Sequence, residues 1–101
     1  MSDNTIPDKF YRVAVKAIIR NDAGDILLVK ERTDSWSIPG GGLDYGEEAK
    51  TALRREMNEE LGVEATHISN QPSFVFSNKN EQFGVWCFTV CFDTTIAASK
   101  F

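Results

Sequence analysis

One segment limits what this chain can become more than any other. Residues 47–61 read Glu-Glu-Ala-Lys-Thr-Ala-Leu-Arg-Arg-Glu-Met-Asn-Glu-Glu-Leu, and Gly62 follows. The segment is dominated by good helix formers, with acids where the first turn of a helix favours negative charge. Gly62 stands where a helix-ending glycine belongs. A helix over residues 47–61 is expected. At about 100° per residue, Ala49, Ala52 and Leu53 share one side, the natural core face. Glu56 and Glu60 fall in that same arc, and Glu59 lies at its border. An apolar stripe thus turns into a patch of carboxylates in its last two turns.

Such a patch needs compensation. Like charges at i,i+4 oppose a helix when exposed, and a partly buried carboxylate must be paired or neutralised. Arg54 and Arg55 are the nearest bases. Arg55 reaches Glu59 at i+4, but it does not balance three acids. A hard divalent cation would, since such ions take oxygen ligands and keep positions open for phosphates. An exposed acidic face with ordinary surface pairs is the plainer alternative. Pro39-Gly40-Gly41-Gly42 precedes the helix by a few residues. Consecutive glycines form a loop that can come close to a ligand, and a free carbonyl there is another hard oxygen. The G-x-x-x-x-G-K-[ST] phosphate loop is not present.

The remainder reads as one small domain over residues 1–101. Residues 1–9 are a polar lead-in. Residues 12–20 and 26–30 read as strands joined through the turn cluster Asn21–Asp25, a hairpin. Trp36-Ser37-Ile38 is a short apolar piece. Residues 73–77 and 84–92 read as further strands, with a turn-rich connection at 77–81. The last strand is apolar on both faces, as in a sheet covered on two sides. Cys87 and Cys91 sit about 13 Å apart on one face of a strand. That is too far for a disulfide, so they are expected as two buried thiols. His67 is the lone histidine, which argues against zinc.

Charge narrows the function classes. Fifteen acids against 11 bases give a net charge of -4, a poor balance for wrapping a nucleic-acid polymer. A small phosphorylated ligand remains compatible if a cation mediates. No apolar stretch reaches the ~20 residues of a membrane span, and the first residues lack the basic and apolar regions of a signal peptide. Cytoplasm is the expected compartment.

These elements together match a known pattern. From Gly41 the order is G, five residues, E, seven residues, R-E-U-x-E-E-x-G-U, with U a bulky aliphatic. It is met by Gly41, Glu47, Arg55, Glu56, Met57, Glu59, Glu60, Gly62 and Val63. The chain resembles the Nudix hydrolases, of the MutT-like kind. The resemblance covers most of residues 10–92 and implies an α/β fold, an α/β/α sandwich with a mixed β-sheet. It further implies Glu56, Glu59 and Glu60 as metal-binding carboxylates, joined by a carbonyl of Gly40 or Gly41. Arg55 would orient the carboxylates, and Glu47 would organise the motif. Gly41, Glu47 and Gly62 would be structural, with Val63 anchoring the helix end. Glu56, Glu59 and Arg55 would carry catalysis, with Mg²⁺ or Mn²⁺ as cofactor. The implied activity is hydrolysis of a nucleoside diphosphate linked to another moiety.

Outside the motif the expectations are broader. Gln71-Pro72-Ser73-Phe74 is only faintly similar to the downstream motif of NADH-cleaving members. Phe10, Tyr11, Trp36, Phe74, Phe76 and Phe83 are candidates to stack on a base. The chain reads as short at its C-terminus, without a second helix after residue 93. Sheet-face hydrophobics such as Phe88 or Phe92 are then expected to be exposed, a patch that a homodimer would cover. A nucleotide-binding module without catalysis and an inactive fragment are the competing functions.

Overall fold

The computed structural model describes residues 10–31, 34–81 and 83–97. The polar lead-in at residues 1–9 lies outside the described residues. The elements are β1 (Tyr11–Ile18), β2 (Val29–Lys30), β3 (Trp36–Ser37), β4 (Gly40–Gly42), α1 (Ala49–Leu61), β5 (Ala65–Ile68), β6 (Phe74–Asn80) and β7 (Val85–Ile96).

The long strand β7 organises a mixed sheet. It pairs in parallel with β1 from Tyr11↔Trp86 to Ile18↔Asp93. Its other edge takes β6 over Val85–Cys91 and β5 over Thr94–Ile96, both antiparallel. The strand β4 lies at the far end, antiparallel to β1, with Val15 opposite Gly41. The strands β2 and β3 form a separate two-stranded ribbon.

Several expectations are corrected. The strand pair 12–20 and 26–30 shrinks to one bridge, Arg20↔Ile26, and the bond Leu27 N–H to Ile19 O at 2.8 Å. The reason is competition for an edge. β7 takes one side of β1 and the glycine strand takes the other, so residues 29–30 pair with β3 instead. The glycine triplet, expected as a loop, is therefore a strand. Residues 77–80, expected as a turn, extend β6. β5 was not foreseen. The turn at Asn21–Asp25 is present, with Gly24 at φ 87°.

The helix covers Ala49–Leu61, so Glu47 precedes it and its first turn holds no acid. Gly62 closes it at φ 65°, donating to Asn58 O at 2.9 Å, a left-handed C-terminal cap. Ala52, Leu53 and Met57 are fully buried against Val15 and Ala17 of β1, with Val63, Ala65, Ile68 and Phe92 around them. Of the two phenylalanines raised by the sequence, Phe92 belongs to the core and Phe88 is exposed. Both lie on the α1 face, since strand residues two apart share a side. The helix covers one end of that face and leaves Tyr11, Trp86 and Phe88 open beyond it. Cys91 is buried, and Cys87 is partly buried. Among the described residues, no helix is long and apolar enough to cross a membrane.

Leu53→Ala should test the helix–sheet contact. Removing this fully buried side chain is expected to cost about 2–5 kcal/mol, read as a lower urea midpoint with an unchanged slope.

Candidate active site

The site forms where the last two turns of α1 pass the glycine strand β4. Main-chain geometry sets this up. In the β1–β4 ladder, Leu43 N–H donates to Val13 O and Ala17 N–H to Pro39 O, each at 2.9 Å. Antiparallel bonding repeats every second residue, so Gly41 faces its bonds toward Val15. Gly40 and Gly42 must then present their N–H and C=O groups outward. Gly40 N–H meets the Glu60 carboxylate at 3.0 Å. Gly42 O accepts from Arg55 Nη2 at 3.3 Å.

The glycines are required by the neighbours. A Cβ on Gly40 would stand 2.1 Å from Val15 O, and Gly40 has φ 141°, a region closed to most side chains. A Cβ on Gly41 would stand 2.6 Å from the Glu56 carboxylate. The absent side chain is the space that this carboxylate fills. Gly42 faces the other way, as alternation demands, and its Cβ position lies 3.0 Å from Arg12 Nη2.

Arg55 gathers the acids. Its Nε and Nη2 donate to the two Glu47 oxygens, both at 2.9 Å. Its Nη1 donates to Glu56 at 3.0 Å and to Glu59 at 3.4 Å. Asp44 stands 3.6 Å from Nη2. The fork geometry of guanidinium suits such bidentate pairing. Glu47 is pulled out of the helix by this pair and by the Asp44 N–H, which donates to it at 3.1 Å. A turn fixes the approach, with Glu47 N–H to Asp44 O at 3.0 Å and Gly46 at φ 83°. The hydrogen bonds from Arg55 hold the Glu47 carboxyl below the usual range. Glu47, followed by Glu56, pushes the Arg55 guanidinium up, keeping it charged at any working pH.

The three helix carboxylates occupy different settings. The Glu56 side chain is 17% exposed and Glu59 61%, so Glu56 is the inward one and Glu59 faces solvent. Glu60 is exposed, yet its carboxylate is tethered to Gly40. Among the described residues, no three Asp, Glu, His or Cys side chains converge on one point as they stand. Arg55 and Gly40 hold the acids apart. The donor set nonetheless fits a hard cation, because Glu56, Glu59 and Glu60 lie on consecutive turns beside an outward carbonyl. Rotation of exposed side chains is fast and cheap. Of the two carbonyls raised by the sequence, Gly40 points to the open edge and Gly41 into the ladder.

Asp44 and the Gly42 carbonyl were missed by sequence reasoning. The Asp44–Glu47 turn around Gly46 was the available signal.

The fold and sequence have known counterparts. The NUDIX domain model matches residues 10–98, and the chain belongs to the Nudix family. It is 46% identical over 65 residues to an RNA pyrophosphohydrolase of Ruthia magnifica subsp. Calyptogena magnifica, covering 63% of this chain and 36% of that one. The MutT protein from Methanosarcina mazei Go1 superposes with a TM-score of 0.77 at 25% identity, covering 93% of this chain and 70% of that one. A MutT NUDIX hydrolase from Burkholderia pseudomallei does so at 0.76 and 26% identity, over 89% and 71%. The chain spans little more than a third of the length of the curated relatives it matches. Nudix hydrolases generally need divalent metals.

Two predictions follow from this geometry. Gly41→Ala adds a methyl against the movable end of Glu56, so thermal stability should change little while activity falls at least about tenfold, on the scale of one displaced charged contact. Melting curves and initial rates read the two separately. Because the Glu47 pKa is lowered on folding, its contribution to stability is present above the unfolded carboxylate value. It is lost as pH falls through the folded value. Melting temperature should therefore drop in acid, and Glu47→Gln should flatten that drop. An equal acid response in both proteins would refute the assignment.

Proposed function

We propose that this domain is a metal-dependent pyrophosphohydrolase of nucleoside diphosphates linked to another moiety, working with Mg²⁺ or Mn²⁺. The observation that carries the reading is the Glu56 carboxylate, seated in the space left by Gly41 and gripped by Arg55. A carboxylate fixed this way, with two more on the next turn that side-chain rotation can bring toward it, offers a hard-oxygen donor set. The names of the relatives support the same reaction class, hydrolysis of phosphorus anhydrides.

Glu56, Glu59 and Glu60, with the outward carbonyl of Gly40, are the groups that would hold the cation. When bound, it would screen the diphosphate charge and acidify water. Arg55 keeps Glu56 aimed. Glu59 is the most exposed of the three and is held only at 3.4 Å, so it is free to turn and accept a proton from attacking water. Glu60, which accepts from the Gly40 N–H at 3.0 Å, would hold the cation once its side chain turned from that donor. An acidic protein can in this way hold an anionic substrate. The name of the RNA pyrophosphohydrolase relatives adds to the candidate substrates an RNA whose 5′ end carries a phosphoanhydride chain.

The test is an assay with Mg²⁺ over nucleoside triphosphates, ADP-ribose, NADH, dinucleoside polyphosphates and a 5′-triphosphorylated RNA oligonucleotide. Turnover of at least one is expected, with Glu60→Gln lower by about 100-fold. Binding without turnover would replace the enzyme reading with a binding module. Equal rates in Glu60→Gln would remove Glu60 from the site.

A further inference from the structure

The face of the sheet away from α1 carries a second charged feature. A cavity of about 410 Å³ lies there, bordered on one side by Gly41 and Gly42. Arg12 and Lys16 line it. They stand four apart on β1, so their side chains share this face. Lys16 Nζ donates to Ile38 O at 3.1 Å. Among the described residues, neither cation has a carboxylate within ion-pair distance. Glu31 also lines the cavity, accepting from the Ser37 hydroxyl rather than pairing with either cation, so in a chain of net charge -4 the cavity carries two cations against one acid. The glycine strand explains their place. Gly41 meets Glu56 on one side and Gly42 meets Arg12 on the other. One strand therefore separates an anionic flank from a cationic one.

The far wall differs in chemistry. Phe76, Asn78 and Phe83 line it, on and just after β6, which lies beyond β7 from β1. Two strand spacings, about 10 Å, separate the cations from the aromatics. That is the span of a nucleoside between its phosphate and the far side of its base. The volume falls in the range of small-molecule sites.

We propose that Arg12 and Lys16 hold the substrate's phosphate from this side of β4, with the attached nucleoside lying across β1 and β7 toward Phe76 and Phe83. This rests on the reading of the substrate as a nucleotide and adds the residues that position it. Guanidinium and ammonium then meet the diphosphate on one flank of the glycine strand, and Glu56, Glu59 and Glu60, which would hold the cation, stand on the other. Arg12 and Lys16 are positioning residues, since they act on binding and not on the reacting water.

Calorimetric titration with an α,β-methylene nucleoside triphosphate tests this, with and without Mg²⁺. Arg12→Ala should weaken binding at least about tenfold in both conditions and lower the salt dependence, because one phosphate contact is lost. Arg12→Lys should recover part of it, and Lys16→Met should act in the same direction. With a turned-over substrate, Arg12→Ala should raise KM and leave kcat within about threefold. Arg12 is exposed and without a partner among the described residues, so its removal should not unfold the domain; a melting curve checks this. Unchanged affinity in Arg12→Ala overturns the proposal, even if Glu60→Gln still abolishes turnover. Failure of the intact protein to bind the analogue overturns it as well. Arg12-dependent binding without turnover of any substrate would sink the enzyme reading alone.

Discussion

Arg55 is the contact on which the rest of the site depends. A single guanidinium holds Glu47, Glu56, Glu59 and the Gly42 carbonyl. Without it, three carboxylates on the last turns of a helix would repel each other and the approach loop would have no anchor. With it, the repulsion is converted into order. Glu47 is drawn back from the helix start, Glu56 is fixed against β4, and Glu59 keeps its freedom. The helix itself is held from the opposite side by Leu53 and Met57 in the core. Apolar packing thus places α1, and Arg55 sets what its polar side offers.

Much of this was legible in the sequence because the features are local. The helix, its left-handed stop at Gly62 and the clash of Glu56 with the apolar stripe all follow from spacing alone. Burial ranks the acids more finely than the wheel did. Glu56 is inward, whereas Glu60 stays exposed and reaches its place through a tether to Gly40. The family motif named residues that meet where α1 passes β4 but could not say that Gly40–Gly42 is a strand. That outcome depends on β1 having both edges taken, a fact of long-range pairing.

The misreadings share this origin. Residues 26–30 have the composition of a strand, yet they lose the competition for β1 to residues 40–42. Residues 77–80 have the composition of a turn, yet β7 is long enough to pair with them. Phe88 and Phe92 look alike in sequence and lie on one face, and only the reach of α1 separates them. Arg12 and Lys16 were invisible as a pair until the face opposite α1 was assembled around them.

The outward groups of β4 have a meaning beyond the reaction. β4 is the terminal strand of its sheet, and a bare terminal strand is a template for pairing with another chain. Here two of its outward groups, the Gly40 N–H and the Gly42 carbonyl, are covered by Glu60 and Arg55. The side chains that organise the site also insulate the sheet from its neighbours in solution. Covering the strand edge and ordering the seam between α1 and β4 therefore fall to the same two residues, so a change at either disturbs both.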